Sequence, residues 1–432
     1  MILFDGKTYE SSEQDRLLSE LQEKIPVILS RKQLSPEVVI EAVECLRIDL
    51  LKGRFDGLLE SFPKDVVATY KKQAEALLSK DQLHKKLETE LGSMEEYITD
   101  QVDGFSRILV RKMPLGVLFH IAAGNMDFLP AYSLAEGLMT GNINILKLPS
   151  ADNGLSLKLI MQLIEYCPEL KEYIYVFDTA STDIQGMRKM AELSNAISVW
   201  GSDMAIEAVR GLAPTGAKII EWGQKLGFCY ITGLDKVKDA DAELKGLADH
   251  IASTKQLLCS SCQVIYIDTD DAGELKAFAE RFLPLLEKAA SEHSSEEIGV
   301  LARDTLISYT QRLKGYLGEE EKHENVLRGR GVSLILASDS ALELSPMMCN
   351  VLVKPLPRSD ISKVLYAHRY HLQTAGLICP PEERNELAGL FTRCGIIRVT
   401  KGADMSAYFP GECHDGEYAL SRYVRVVNIE TE

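Results

Sequence analysis

The stretch KQLLCSSCQVIYID, residues 255–268, sets two cysteines three apart directly before an apolar, β-branched run. The run QVIYID reads as a buried strand, so Cys259 and Cys262 fall on the turn or short helix that enters it. Thiols so placed offer three chemistries. A Cys-x-x-Cys pair can work as a redox dithiol. It can supply half of a zinc knuckle. Alternatively one thiol, held as thiolate by a helix N-terminus, a cation or a ligand, acts as a nucleophile while its neighbour stays a buried bystander. The zinc reading lacks partners, because a structural site takes two ligand pairs and CSSC is the only Cys-x-x-Cys in the chain. His368 and His371 are three apart but lie far downstream in a polar helical stretch.

Four other stretches carry residues fit for chemistry, each near the inferred end of a strand, where ligands of parallel α/β sheets collect. AAGN (122–125) places Asn125 at a helix start, as an N-cap or as an amide donor to an oxyanion. LKLPS (146–150) has Lys147 leaving a strand, then Pro149 and Ser150 opening a helix. Lys147 is either a surface charge or a contact for a nucleotide ribose or phosphate. In VWGSD (199–203), Gly201 allows close backbone approach and Ser202 offers a hydroxyl that would equally serve as an N-cap. IIEWGQKLG (219–227) ends a strand with Glu221, which is either ion-paired, to Lys225 for instance, or kept as a base with a raised pKa.

The elements that must position these groups fall into two blocks. Residues 11–97 show amphipathic helical patterning, and ITDQVDGFSRILVRKMP then reads as a hairpin turning at Asp103-Gly104. From Leu115, apolar runs (GVLFHIAAG, NINILKLPS, EYIYVFD, AISVWGS, AKIIEWG) alternate with helical segments. That alternation predicts right-handed βαβ crossovers and a parallel, Rossmann-like sheet, here without a GxGxxG fingerprint. After Gly223 a second α/β block holds QVIYID, a long helix through Ala289, VLVKPL, LQTAGLI and GIIRVT. SEHSSEEIG and GEEEKHENVLRGRG read as loops or solvated helix faces, and the end as an ordered β-type tail.

A chain of 432 residues is too long for one small core, which agrees with two domains. The net charge of −16 argues against general affinity for nucleic acid or anionic membrane. No window reaches the eighteen or so unbroken apolar residues of a membrane span. The acidic start MILFDGKTYESSEQD lacks the order of a signal peptide, and nine scattered cysteines suit free thiols in a reducing compartment, so the expected location is cytoplasmic.

The order Asn, strand-end Lys-x-Pro-Ser, Gly-Ser turn, Glu-x-Gly-x-Lys, then Cys resembles the aldehyde dehydrogenase superfamily. The helical N-terminal region, CSSCQ, LQTAGLI and the HDG of His414, Asp415 and Gly416 are similar to its LuxC branch, the fatty acyl-CoA reductases. The resemblance runs from about Ile98 to the end. It implies an α/β, aldehyde dehydrogenase-like fold. Residues 1–222 would hold the helical N-terminal region and a Rossmann-like dinucleotide-binding domain, with the hairpin at about 98–113. Residues 223–402 would form the catalytic thiol domain, and 403–432 a β-tail. Hairpin and tail would join copies into a homodimer or homotetramer.

By the same resemblance Cys259 is the nucleophile, and Asn125 with the cysteine's backbone amide forms the oxyanion hole. Glu221 stands at the general base, and Lys147, Ser150, Gly201 and Ser202 line the nicotinamide dinucleotide site. The implied reductant is NADPH or NADH, with NADPH favoured by the branch and by Lys147. The implied substrate is a fatty acyl-CoA thioester, reduced to aldehyde, with an acyl-carrier or acyl-transferring protein as a further partner and no metal. Three departures stand out. Glu221 is followed by Trp-Gly-Gln-Lys rather than Leu-Gly-Gly-Lys, STKQLL replaces the usual lead-in to the cysteine, and LSPMMCNVLVKPL occupies the place of E-I-F-G-P. The rival readings are oxidation of aldehydes to acids, a catalytically silent partner protein on the same scaffold, and a CSSC dithiol oxidoreductase.

Overall fold

A computed structural model describes residues 1–431 except 32, 61–63, 93–96, 101–106, 123–127, 150–153, 294–305, 307–309, 311–324 and 410. Asn125, Ser150 and the Asp103-Gly104 turn lie outside the described residues. The chain divides into two compact units: Met1–Gly223 with Phe409–Glu432, and Gln224–Tyr408.

The first unit opens with a small hairpin, β1 (Ile2–Phe4) and β2 (Lys7–Tyr9), then helices α1 (Gln14–Leu29), α2 (Pro36–Leu51), α3 (Asp56–Leu59), α4 (Lys64–Leu77) and α5 (Lys80–Leu91). Strands β3 (Tyr97–Asp100) and β4 (Arg107–Pro114) pair antiparallel. Five strands follow, β5 (Val117–Ile121), β6 (Ile143–Lys147), β7 (Ile174–Phe177), β8 (Ala196–Trp200) and β9 (Lys218–Trp222). The crossovers carry α6 (Leu129–Met139), α7 (Leu155–Tyr166), α8 (Ile184–Glu192) and α9 (Asp203–Leu212). Runs such as VLFHI and IYVF are apolar at nearly every position because helices cover both faces of the sheet. The sheet order is β2-β1-β7-β6-β5-β8-β9, with β5 to β9 parallel and the terminal hairpin added antiparallel beside β7. The winding direction reverses between β5 and β8, and ligands of such sheets sit outside the carboxyl ends at that reversal.

The second unit contains β10 (Leu226–Ile231), α10 (Ala240–Thr254), β11 (Cys262–Ile267), α11 (Ala272–Glu292), β12 (Asn325–Gly329), β13 (Val332–Leu336), β14 (Asn350–Pro355), β15 (Leu372–Ile378) and β16 (Arg398–Thr400). Their order is β12-β13-β14-β11-β10-β15-β16, parallel from β13 onward, and β12 closes the edge antiparallel. One apolar cluster packs α10 and α11 on one face, and a second covers the other.

The last strand, β17 (Val424–Thr431), belongs to the first unit and pairs along β4 from Val424↔Pro114 to Thr431↔Arg107. A buried ion cluster anchors the tail. Lys86 on α5 bonds Glu90 and lies 3.0 Å from Glu136 on α6, while Glu90 accepts the Leu420 N–H at 2.9 Å. No helix among the described residues is long and apolar enough to cross a membrane.

Candidate active site

The thiol turn begins where α10 runs out. Lys255 and Gln256 both take left-handed backbone conformations, φ 48° and 62°, where glycine would be the easy choice. Such a geometry persists only when its surroundings over-determine it. Met348 N–H donates to the Lys255 carbonyl at 3.0 Å. Gln256 is buried, and its Nε2 donates to the Cys262 carbonyl at 2.9 Å. Gln263 Nε2 returns a bond to the Gln256 carbonyl at 2.8 Å, and Ser345 donates through its hydroxyl to Gln263 Oε1 at 2.8 Å. At the tip, Leu258 N–H bonds Ser261 Oγ at 3.1 Å and Ser261 N–H bonds the Leu258 carbonyl at 3.0 Å. Ser260 Oγ meets Ser406 Oγ at 2.7 Å.

This framework separates the two thiols. Cys259 sits exposed on the turn beside exposed Leu257 and Leu258. Cys262 is the first residue of β11 and fully buried, with its S–H directed at the Val264 carbonyl, 3.4 Å away. Burial pushes the Cys262 thiol up to about 12, so it stays protonated and inert at neutral pH. Its backbone N–H donates to Nε2 of buried His250 at 3.4 Å, and burial holds that imidazole neutral, at about 4. A dithiol function has no support in this arrangement.

The sheet beneath is irregular at the same point. Between Gly227 and Phe228 of β10, both neighbouring strands carry an extra residue: β11 runs from Cys262 to Val264, and β15 from Leu372 to Ala375 against Leu226 and Phe228. Such bulges re-aim side chains beside active sites. A Cβ on Gly227 would lie 2.6 Å from the Ser261 carbonyl and 2.8 Å from that of Ser260, so only glycine lets the turn pack down here. On β15 the bulged segment turns buried Gln373 toward the turn, and its Nε2–H donates to Cys259 Sγ at 3.3 Å. Gly227, His250, Gln373 and Ser406 were not legible as site residues, because a bulge and a side chain's aim leave no periodic mark in one sequence.

The nucleotide-type residues lie in the first unit at the carboxyl edge of its sheet. Lys147 ends β6, is largely buried, and donates to Ser181 Oγ at 3.1 Å; desolvation lowers its pKa. Ser202 caps α9, its Oγ accepting the Ala205 N–H at 3.4 Å. Gly201 N–H donates to the Trp222 carbonyl at 3.2 Å, and a Cβ there would crowd that of Ala205 at 3.0 Å. Glu221 is bound bidentate by Arg210, at 2.6 and 2.7 Å, whereas Lys225 donates to the Tyr370 carbonyl. The ion-pair alternative therefore holds, with a different partner.

Beside these residues, three rings cluster: Trp200 stacks on Trp222 at 5.1 Å, and His414 lies 5.0 and 5.3 Å from the two. The HDG motif makes this contact. Asp415 and Gly416 have φ of 50° and 80°, and His414 and Glu417 exchange both backbone bonds at 2.9 Å, as in a two-residue hairpin turn with both central residues left-handed. The indole N–H of Trp200 is buried with no partner among the described residues. A donor left open beside a glycine turn and a helix N-terminus fits a polar ligand such as the nucleotide of the implied cofactor.

The sequence pattern of the acyl-CoA reductase (LuxC) family matches residues 58–426. The chain belongs to that family. Among curated LuxC-type relatives, the long-chain acyl-protein thioester reductase of Vibrio harveyi is 25% identical over 360 residues, covering 82% of this chain and 72% of the relative. The long-chain acyl-protein thioester reductase 2 of Photobacterium leiognathi is likewise 25% identical over 369 residues, with the same coverage. Solved structures give the fold. A betaine aldehyde dehydrogenase mutant from Staphylococcus aureus superposes with a TM-score of 0.74 at 13% identity, covering 100% of this chain and 96% of the other. An NADP-dependent glyceraldehyde-3-phosphate dehydrogenase from Bacillus halodurans gives 0.71 at 12% identity, covering 100% and 98%. The LuxC-family chain thus has the aldehyde dehydrogenase fold expected from its sequence.

Proposed function

We propose that this LuxC-family chain reduces a long-chain acyl thioester to an aldehyde through an acyl group carried on Cys259. The observation that carries this is the exposed Cys259 sulfur: it receives an N–H donor from Gln373 and is flanked by two exposed leucines that suit an apolar chain. The thioester donor is coenzyme A or an acyl-bearing protein, the latter being what the curated relatives are named for.

Cys259 thiolate attacks the thioester carbonyl, the new C–S bond forms, and the donor thiolate leaves, which divides one difficult step into two. Asn125 is the proposed oxyanion donor, and loss of one such donor costs about 100- to 1000-fold in rate. Lys147, Ser150, Gly201 and Ser202 are the groups proposed to hold the ribose and phosphates of NADPH or NADH, and Trp200 to border them. The reduced nicotinamide, when bound, supplies the hydride. Cys259 finally departs from the hemithioacetal as thiolate and releases the aldehyde. None of these steps needs an activated water. A Glu221 carboxylate clamped by Arg210 is poorly placed to activate one, which favours reduction over oxidative hydrolysis. The antiparallel β3–β4–β17 sheet is the proposed surface for a dimer or tetramer, testable by sedimentation.

The test is incubation with acyl-CoAs of graded length and each reduced dinucleotide, following cofactor absorbance and the mass of the peptide bearing Cys259. Acylation of that peptide with loss of reduced cofactor is expected, and Cys259→Ala should abolish both. Acyl mass on another cysteine, or release of free acid without cofactor oxidation, would sink the proposal.

A further inference from the structure

We infer that Gln373 is a catalytic residue of this site: its carboxamide N–H stabilises the Cys259 sulfur as an anion. The inference rests on Cys259 as the nucleophile and adds the group that activates it. Four observations converge on this role. Gln373 Nε2 lies 3.3 Å from Cys259 Sγ. The residue is buried, so its amide approaches the sulfur from the protein side and leaves the outer face of the turn open. Its Oε1 accepts the Thr374 hydroxyl at 3.4 Å, which turns the NH2 end toward the sulfur. It also sits in the bulge that gives β15 one residue more than β10, so the aim of the side chain depends on that irregularity.

An N–H donor favours the charged form of a thiol and lowers its pKa without adding a charge. Titratable groups on the surrounding elements include Lys255 on the turn, His250 on α10 with Asp249, Arg398 and Asp404 around it, Cys262 on β11, and Cys229 and Tyr230 on β10. Gln373 itself carries no charge, so replacing it alters the dipole at the sulfur and no formal charge. The same N–H acts twice in the proposed cycle: on the attacking thiolate, and again when the C–S bond of the hemithioacetal breaks and the electron pair returns to sulfur. No proton moves through the amide at either stage.

The decisive measurement needs no substrate. Iodoacetamide alkylation of the Cys259 peptide is followed by mass spectrometry across pH in the full chain, for wild type, Gln373→Leu and Gln373→Asn, whose shorter arm falls short of the sulfur. A lost bond to a charged group predicts alkylation at pH 7 slowed about ten-fold, with the midpoint of the pH profile raised by about one unit. Above the raised midpoint the variants should match or exceed wild type, because a more basic thiolate is the better nucleophile. Merely loosened packing would not produce that crossing. Urea unfolding checks that the variants are folded, and the KM for the dinucleotide should stay at its wild-type value while kcat falls. A folded Gln373→Leu or Gln373→Asn chain with the wild-type profile overturns the inference. If the profile shifts but no thioester is reduced, the proposed reaction fails and the role of Gln373 on the sulfur stands.

Discussion

At residues 259 and 262 the same side chain meets opposite environments, and burial decides between them. Cys262 is sealed beneath the turn with its thiol pushed up to about 12, while Cys259 stands in the open with a donor on its sulfur. Cys262→Ala should therefore keep acyl transfer within a few-fold of wild type, and the wild-type Cys262 peptide should resist alkylation at pH 7 until urea unfolds the chain. A Cys262→Ala enzyme as dead as Cys259→Ala would restore the dithiol reading. The spacing CSSC could not make this choice, since two cysteines three apart look alike on paper. It was the strand register, starting β11 at Cys262 itself, that put one inside. Glu221 shows the same limit: its position at a strand end was legible, but Arg210 as its partner lies one helix back and was not.

Among the elements, long periodic runs were readable and short or polar ones were not. The five strands from Leu115 to Trp222 and their crossover helices follow directly from apolar runs alternating with helical spacing. Strand β12, NVLRG, was hidden in a charged context and reads as a loop, and the LGFCYI of β10 follows the Glu221 stretch without a separating signal. The bulge opposite Gly227 has no sequence mark at all, yet it lies beneath the turn that carries Cys259, the proposed nucleophile. Gly227→Ala would drive a Cβ into two backbone carbonyls that cannot swing aside, a clash of the kind that costs about 1–3 kcal/mol. The expected result is a folded chain, less stable to urea by that amount, whose Cys259 no longer shows wild-type alkylation; unchanged stability and reactivity would mean that the close approach is unimportant.

Helix α10 contributes a pH dependence. His250 is pushed by burial to about 4, from an ordinary value near 6.5, and His120 behaves likewise between Ser133 and Asn144. Between those two pH values the unfolded chain binds protons that the folded chain refuses, so these groups lower stability as pH falls from about 6.5 to about 4. Each should remove about 2 kcal/mol by pH 5. The carboxamide oxygen of a glutamine can still accept the Cys262 N–H, so His250→Gln should be nearly neutral at pH 7 and relatively more stable at pH 5. Urea midpoints at both pH values check this, and parallel curves for the two proteins would refute it.

For the whole molecule, the division at Gly223/Gln224 and Tyr408/Phe409 separates the proposed thiol and nucleotide residues as well as the cores. Both apolar clusters of the second unit draw their residues from within 226–405, and the clusters containing the Rossmann-like strands draw theirs from the first unit with its returning tail. Every partner described for the thiol turn, from Gly227 through His250, Ser345 and Gln373 to Ser406, also belongs to the second unit. The proposed nucleotide residues, Lys147 through Ser202, all belong to the first. A segment with its own hydrophobic core should fold by itself. The fragment 224–408 is therefore expected to unfold cooperatively in urea and to alkylate Cys259 with a pH profile that responds to Gln373→Leu as the full chain does, while failing to bind either dinucleotide. A fragment that is unfolded, or one whose Cys259 profile is indifferent to residue 373, would show that the seat of the sulfur is not built from the second unit alone.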